Sequence, residues 1–412
     1  MARLVFKNAN LLDGDNPARC GQTVVIDGER IVAVGERAPD DLTRQDRVVE
    51  LDGKTLMPGM ITCHYHSTYR DLGAVRAPYG LEHPPAYQAL IAAQNLGLAL
   101  QCGFTGAVGA GCSNDIDASV KRAIDDGLIP GPRFVPSGRE LSTTGHANDS
   151  TPWYWQVTEW GAARCCDGPE EFRAAVRDEI KRGAEMIKLF VTGGHGVLAP
   201  KDRFEMTRAE VDAVVQSAHA RNARVRGHIV NKAAILMAID AGVDVIDHAD
   251  DMDDECIERM VRAGSFVAPS CYLATSILEQ PGSDRLGFAS SMRAELERTF
   301  EVLPKANAAG VKLVVGDDYG ALGCPHGRYA TELEVYVRDA GIAPLDVLRW
   351  ATVHGAELMG RADELGRIAP GYLADLLVVD GDPATDITVL QDRDRLLAIL
   401  KGGSFAKDAL AA

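Results

Sequence analysis

The stretch GMITCHYHSTYR, residues 59–70, decides how the chain is read. A short apolar run, Met60, Ile61 and Thr62, ends in two histidines one residue apart, His64 and His66. Residues i and i+2 of a β-strand point to the same face, so both imidazoles converge at the strand's end, where a metal ion could sit. A polar strand end facing water has the same spelling. What lies at the ends of the other strands decides between the two.

From residue 60 to about 354 the chain alternates short apolar runs with amphipathic helical stretches, the pattern of βα units with parallel strands. The runs are Met60–His66, Phe104–Val108, Arg133–Ser137, Met186–Phe190, Val225–His228, Val243–His248, Phe266–Pro269 and Lys312–Asp317. Between them, PEEFRAAVRDEIKRGA, RAEVDAVVQSAHARNA, NKAAILMAIDAGV and DDECIERMVRAG place apolar residues at helical spacing, with helix stops at Gly or Asn. Eight strands with intervening helices predict a (β/α)8 TIM barrel, with an active site at the C-terminal strand ends. Residues 1–58 instead carry β-type runs closed by Asp-Gly and Pro-Gly turns, and the C-terminus repeats that texture in LADLLVVDGDPATD and LLAILKGGSFA. Residues 1–58 and 355–412 are therefore expected to form a small composite β-sandwich beside a barrel of residues 59–354.

A chain of 412 residues with 46% hydrophobic and 25% charged residues can bury a large core. Its net charge of −16 argues against a nucleic-acid backbone or an anionic membrane as partner and leaves a small molecule as the expected one. Nine cysteines, an odd number without small-domain spacing, do not read as a disulfide framework, so a reducing, cytoplasmic setting is expected. The N-terminal residues show no apolar signal region, and no window approaches a membrane span.

The strand ends carry polar residues. EMIKLFVTGG puts Lys188 inside an apolar strand; VRGHIVN, DVIDHADD and KLVVGDDYG bring His228, His248 and Asp317 to the same rim as His64 and His66. Each alone reads as an ordinary core histidine or helix-capping aspartate. Six such residues on five strands, all at one face, point to a metal site instead. Neutral imidazoles and a carboxylate suit a divalent ion such as Zn²⁺. Lys188 is the exception, because an ammonium has no lone pair to give a metal.

His64-Tyr65-His66, Lys188, His228, His248 and Asp317, in this order on barrel strands, resemble the ligand pattern of the binuclear branch of the amidohydrolase superfamily. With PGMITCHYH at the start and LGRIAPGYLADLLVVDGDP near the end, the chain is similar to its imidazolonepropionase-like, Xaa-Pro dipeptidase-like and ochratoxinase-like group. The resemblance implies a Lys188 carboxylated by CO2 and bridging two divalent metals, with zinc the first expectation. His64, His66 and Asp317 would hold one metal, and His228 and His248 the other. It implies hydrolysis of a C–N bond by a bridging hydroxide, with Asp317 as general base, and a homo-oligomer. The related deaminases lack the strand-four lysine and place a glutamate after the strand-five histidine, where this chain has Ile229, Val230 and Asn231.

The same resemblance makes His146, in the loop LSTTGHANDSTPWYWQVTEW, a candidate for stabilising an oxyanion or contacting substrate. Trp153, Tyr154, Trp155 and Trp160 follow it and suggest either an apolar or aromatic substrate part or an oligomer contact. His195, Tyr272 and Arg70 are further candidates for substrate binding, and Arg226 for pairing with an anionic group. The apolar Ile229 and Val230 turn the reading from simple dipeptides toward amides, carbamates or ureas with apolar flanks. A cyclic-amide hydrolase and a non-catalytic scaffold are the alternatives.

Overall fold

The computed structural model describes residues 2–72, 80–149, 151–152, 154, 161–197 and 199–410. The terminal segments contribute β1 (Leu4–Leu11), β2 (Arg19–Asp27), β3 (Arg30–Gly35), β4 (Arg47–Glu50) and β5 (Thr55–Pro58) from one end of the chain. The other end contributes β16 (Leu376–Val379), β17 (Leu396–Lys401) and β18 (Ser404–Asp408). They form one eight-stranded sheet in the order β18-β17-β16-β5-β1-β2-β3, with β4 on β1. The antiparallel pair β5–β16 joins the two ends, Leu376 opposite Pro58 and Val379 opposite Thr55. Strand alternation explains the burial of both faces: Leu376 and Val378 enter a small core with Phe6, Leu11 and Leu400, while Leu377 and Val379 enter the central one.

All eight apolar runs between residues 60 and 317 contain strands. They are β6 (Met60–Tyr65), β7 (Phe104–Gly109), β8 (Arg133–Val135), β11 (Met186–Phe190), β12 (Arg224–Ile229), β13 (Val245–His248), β14 (Phe266–Ala268) and β15 (Lys312–Leu313). Two three-residue strands, β9 (Glu140–Ser142) and β10 (Ala163–Cys165), are added. All neighbours are parallel, in a three-stranded sheet β6-β7-β8 and a seven-stranded sheet β10-β9-β11-β12-β13-β14-β15. Backbone bonds cross between the two: Met186 N donates to Pro136 O at 3.1 Å, and Cys63 N to Val315 O at 2.6 Å.

The intervening helices are α1 (Pro85–Gln101), α2 (Ile116–Asp125), α3 (Pro169–Lys181), α4 (Arg208–His219), α5 (Lys232–Ala241), α6 (Asp254–Ala263), α7 (Tyr272–Glu279), α8 (Ala289–Ala309) and α9 (Tyr329–Arg338). Their ends follow local chemistry. Thr207 and Glu210 form a reciprocal capping box on α4, and Asn231 and Asp253 cap α5 and α6 through Ala234 N and Cys256 N. Gly242 and Gly264 end α5 and α6 at φ of 88° and 72°, a left-handed conformation that costs glycine least.

A cleft of about 590 Å³ opens at the N-terminal strand ends, beside Arg224, Asp244, Phe266 and Lys312. Its cations are committed to protein, Arg224 to the carbonyls of Glu357 and Leu358, Lys312 to the Glu357 carboxylate at 2.9 Å. The histidines lie at the opposite ends of the strands.

Gly316 fixes the approach of the chain after β15 to β6. It has φ of +140°, and a Cβ there would lie 2.1 Å from His64 N. Gly316→Ala is expected to destabilise the fold by about 3 kcal/mol, from overpacking and backbone strain together. Gly287→Ala, where a Cβ meets nothing within 4 Å, should stay within about 0.5 kcal/mol; urea denaturation of both variants checks the contrast.

Candidate metal centre

Strand β6 delivers His64 and His66, both buried, to one point: their Nε2 atoms lie 3.2 Å apart. The Asp318 carboxylate meets that point, its Oδ1 3.1 Å from each Nε2. His248, the last residue of β13, adds a third element; ligand atoms of His64, His248 and Asp318 lie within 4.8 Å of one another. His228, from β12, has its ring 4.5 Å from that of His248, stacks on Phe190 and places Nε2 3.1 Å from Gly194 O. Burial lowers the pKa of His64, and burial with nearby positive charge holds His228 and His248 well below the usual value. These three rings are therefore neutral and keep a lone pair for a metal. His248 Nδ1 is buried without a hydrogen-bond partner among the described residues.

Lys188, buried on β11, donates to Asp247 Oδ2 at 2.6 Å. Asp247 also accepts from Arg226 Nε at 3.0 Å and from Arg226 Nη2, and it lies 3.3 Å from His64 Nδ1. Burial works to raise the Asp247 pKa, but Arg226, Lys188 and His64 overcome it and hold the carboxyl well below the usual range. Arg226 further donates to Cys63 O at 2.7 Å and Gly109 O at 3.0 Å. It is fully buried and committed to protein, not placed for a substrate anion. Asp247 was legible only as the residue before His248, and nothing in the sequence marks it as the partner of both cations.

The carboxylate that faces the histidines is Asp318, not Asp317. Asp317 turns the other way and accepts from Tyr272 N at 2.7 Å and Leu273 N at 3.2 Å, at the start of α7, and from Asp318 N at 2.7 Å. Strand alternation could not choose between these adjacent aspartates, because β15 ends at Leu313 and the chain from Gly316 is irregular. Burial and the Glu332 and Asp318 charges push the Asp317 carboxyl well above the usual range. For Asp318, hydrogen bonds from His64 and His66 outweigh burial and hold it well below.

His66 is positioned from behind. Its Nδ1 lies 3.0 Å from Gly111 O, and Tyr69 stacks on its ring at 4.0 Å. Tyr69 Oη donates to buried Glu140, which also accepts from Asn148 Nδ2 at 3.1 Å. That bond ties the loop bearing His146 to the centre. The His146 ring is buried, 5.0 Å from Phe190, and accepts from Asn148 N at Nδ1, 3.2 Å away. In the neutral ring the proton then sits on Nε2. This atom has no partner of hydrogen-bond geometry among the described residues, the Thr192 backbone exerting only a weak pull. Burial lowers the His146 pKa to about 4.

His195 stacks on His248 at 3.8 Å, and its Nδ1 lies 3.0 and 3.1 Å from the two Asp250 oxygens. Burial opposes its protonation, but the Asp250 charge and hydrogen bond raise its pKa to about 9. Tyr272 begins α7 and is buried, its backbone rather than its hydroxyl serving Asp317. Arg70 is exposed and makes none of the contacts that assemble the centre. Trp153, Trp155 and Trp160 lie outside the described residues, and Tyr154 is exposed.

The amidohydrolase family model matches residues 55–405. Ochratoxinase from Aspergillus niger is 31% identical over 96% of this chain and 85% of its own length. Imidazolonepropionase from Rubrobacter xylanophilus is 25% identical over 92% and 90%. The crystal structure of a prolidase complexed with N-methylphosphonate-L-proline is 32% identical, covers 99% of this chain and all of that one, and has a TM-score of 0.86. With a matched model spanning most of its length and these relatives over nearly all of it, the chain belongs to the amidohydrolase family and is a hydrolase of carbon–nitrogen bonds.

Proposed function

We propose that this enzyme hydrolyses an amide-like bond of a small molecule at a binuclear divalent metal centre, on a closed (β/α)8 barrel carrying a β-sandwich made from both termini. The observation that carries the reading is the convergence of His64, His66 and Asp318 within 3.2 Å, with His248 alongside. The orphaned His248 Nδ1 and the neutral imidazoles fit a divalent cation. His64, His66, Asp318, His228 and His248 would hold two ions, zinc first among candidates, with Lys188 joining them after carboxylation. Such ions, when bound, polarise a carbonyl and acidify water.

The chain's own groups carry the protons. Asp318 accepts one from the attacking water and returns it to the leaving nitrogen as the C–N bond breaks, leaving an acid and an amine. His146, donating through its unpartnered Nε2–H, stabilises the oxygen of the attacked carbonyl. Lys188 as an ammonium is balanced by Asp247; as a carbamate it would carry the opposite charge, with Arg226 left to balance Asp247. The prolidase structure, complexed with N-methylphosphonate-L-proline, supports a linear amide, and the imidazolonepropionase relative keeps the cyclic amide as the second reading. A cytoplasmic homo-oligomer completes the proposal.

Three outcomes are expected. Purified protein should carry about two metals per chain, and native mass spectrometry should show CO2 added at Lys188; less than one metal and an unmodified lysine overturn the binuclear reading. Asp318→Asn should lower kcat by about 10²–10⁴, whereas Asp317→Asn should lower the denaturation midpoint and leave metal content near wild type; the reverse pattern would restore Asp317 as the base. His146 has an unfolded value near 6.5 and a folded value of about 4. Between these the unfolded chain binds a proton that the folded chain refuses, so stability falls as pH drops through that window and is unaffected above it. His146→Gln should therefore remove about 2 kcal/mol of the stability lost between pH 7 and pH 5, read from urea denaturation at both values.

A further inference from the structure

We propose that the cavity between α7 and α8 is the subsite for an uncharged, compact aliphatic group flanking the scissile bond; the assignment rests on the amide-hydrolase reading above. The cavity measures about 70 Å³, and His195 and Asp250 form part of its wall. The same His195 ring is stacked on His248 at 3.8 Å, so one side chain is shared by the cavity wall and the candidate metal centre. Asp250 holds the ring in that orientation through Nδ1. The first turn of α7 is fixed to the segment that carries Asp318, because Leu273 N donates to the adjacent Asp317.

The lining selects the occupant. Leu273, Ala274 and Ile277 from α7 face Met292 and Leu296 from α8. The polar groups among them are already engaged. Asp250 pairs with His195, Glu295 lies 3.5 Å from Lys201 Nζ, and Thr299 Oγ1 donates to the Glu295 carbonyl at 3.1 Å. A charged group entering the cavity would lose water and find its natural partners taken. Size narrows the class further. A cavity of about 150 Å³ accommodates benzene, so a space near 70 Å³ suits a branched chain of about three or four carbons and is too small for a phenyl ring.

The test uses the metal-loaded full chain and two amide series, one varying the side chain on the acyl side and one on the amine side, each with alanine-, valine-, leucine- and phenylalanine-type groups. In one series, kcat/KM for the valine or leucine group should exceed both alanine and phenylalanine by at least roughly tenfold. Ala274→Phe, which fills the cavity, should erase that preference. Leu296→Ala, which enlarges it, should raise the phenylalanine-to-leucine ratio by roughly tenfold. Hydrolysis with ratios unmoved in both variants overturns the subsite and leaves the amide-hydrolase reading standing. If no amide is cleaved, that reading fails, and calorimetric titration with isovaleramide still judges the cavity. Binding weakened at least roughly tenfold by Ala274→Phe supports it; unchanged or absent binding overturns it.

Discussion

The buried carboxylate of Asp247 is the charge on which the centre depends. It sits on β13 and engages Lys188 of β11, Arg226 of β12 and His64 of β6. Four strands are thereby tied at the level of the histidines. Two cations with essentially no exposure would each cost several kcal/mol if left unpaired, and one carboxylate offers enough lone pairs to meet both. The remaining Arg226 donors reach the Cys63 and Gly109 carbonyls and extend the network to β7. Such an assembly tolerates little displacement, so the imidazoles beside it are held in place by the protein alone.

A second carboxylate, Glu332 of α9, does for the last strand what Asp247 does for the middle ones. Both its oxygens accept from Gly316 N, and the Tyr319 and Tyr336 hydroxyls complete its shell. It therefore anchors the irregular turn in which Gly316 passes His64 and Asp318 reaches the histidines. Its pKa rises to about 7, burial being the main cause and the tyrosines and Gly316 N–H opposing it. Asp317 serves the same turn by accepting the first amides of α7. Of the two adjacent aspartates, one is structural and one faces the centre, and the backbone at Gly316 decides which.

The strand pattern was legible because apolar runs bounded by turns report burial directly, and each of the eight runs contains a strand. The histidines were legible for the same reason, since position within a regular strand fixes the face to which a side chain points. Legibility ended where regularity ended. Asp317 and Asp318 follow a two-residue strand, and β9 and β10 span three residues each, too short for any period to register. Asp247 and Arg226 were obscured differently. Their pairing crosses two strands, and an arginine within an apolar strand carries no local mark of its partner. Arg226 accordingly read as a ligand-facing cation, although its guanidinium is an internal strut.

Among the polar atoms that the fold buries without a hydrogen bond among the described residues are His248 Nδ1 and His146 Nε2, the latter a donor. A buried polar atom without a partner costs on the order of 1–3 kcal/mol. Both could have been avoided by an apolar residue of similar volume, as in the surrounding core. They flank the same histidines through His64 and Phe190. In the proposed reaction a metal would use a lone pair at His248 Nδ1, and the developing oxyanion would use the His146 Nε2–H. The unmet hydrogen-bonding capacity at these two atoms is what the proposed chemistry would use, and their place beside the histidine cluster, rather than their being orphaned, is what ties them to it.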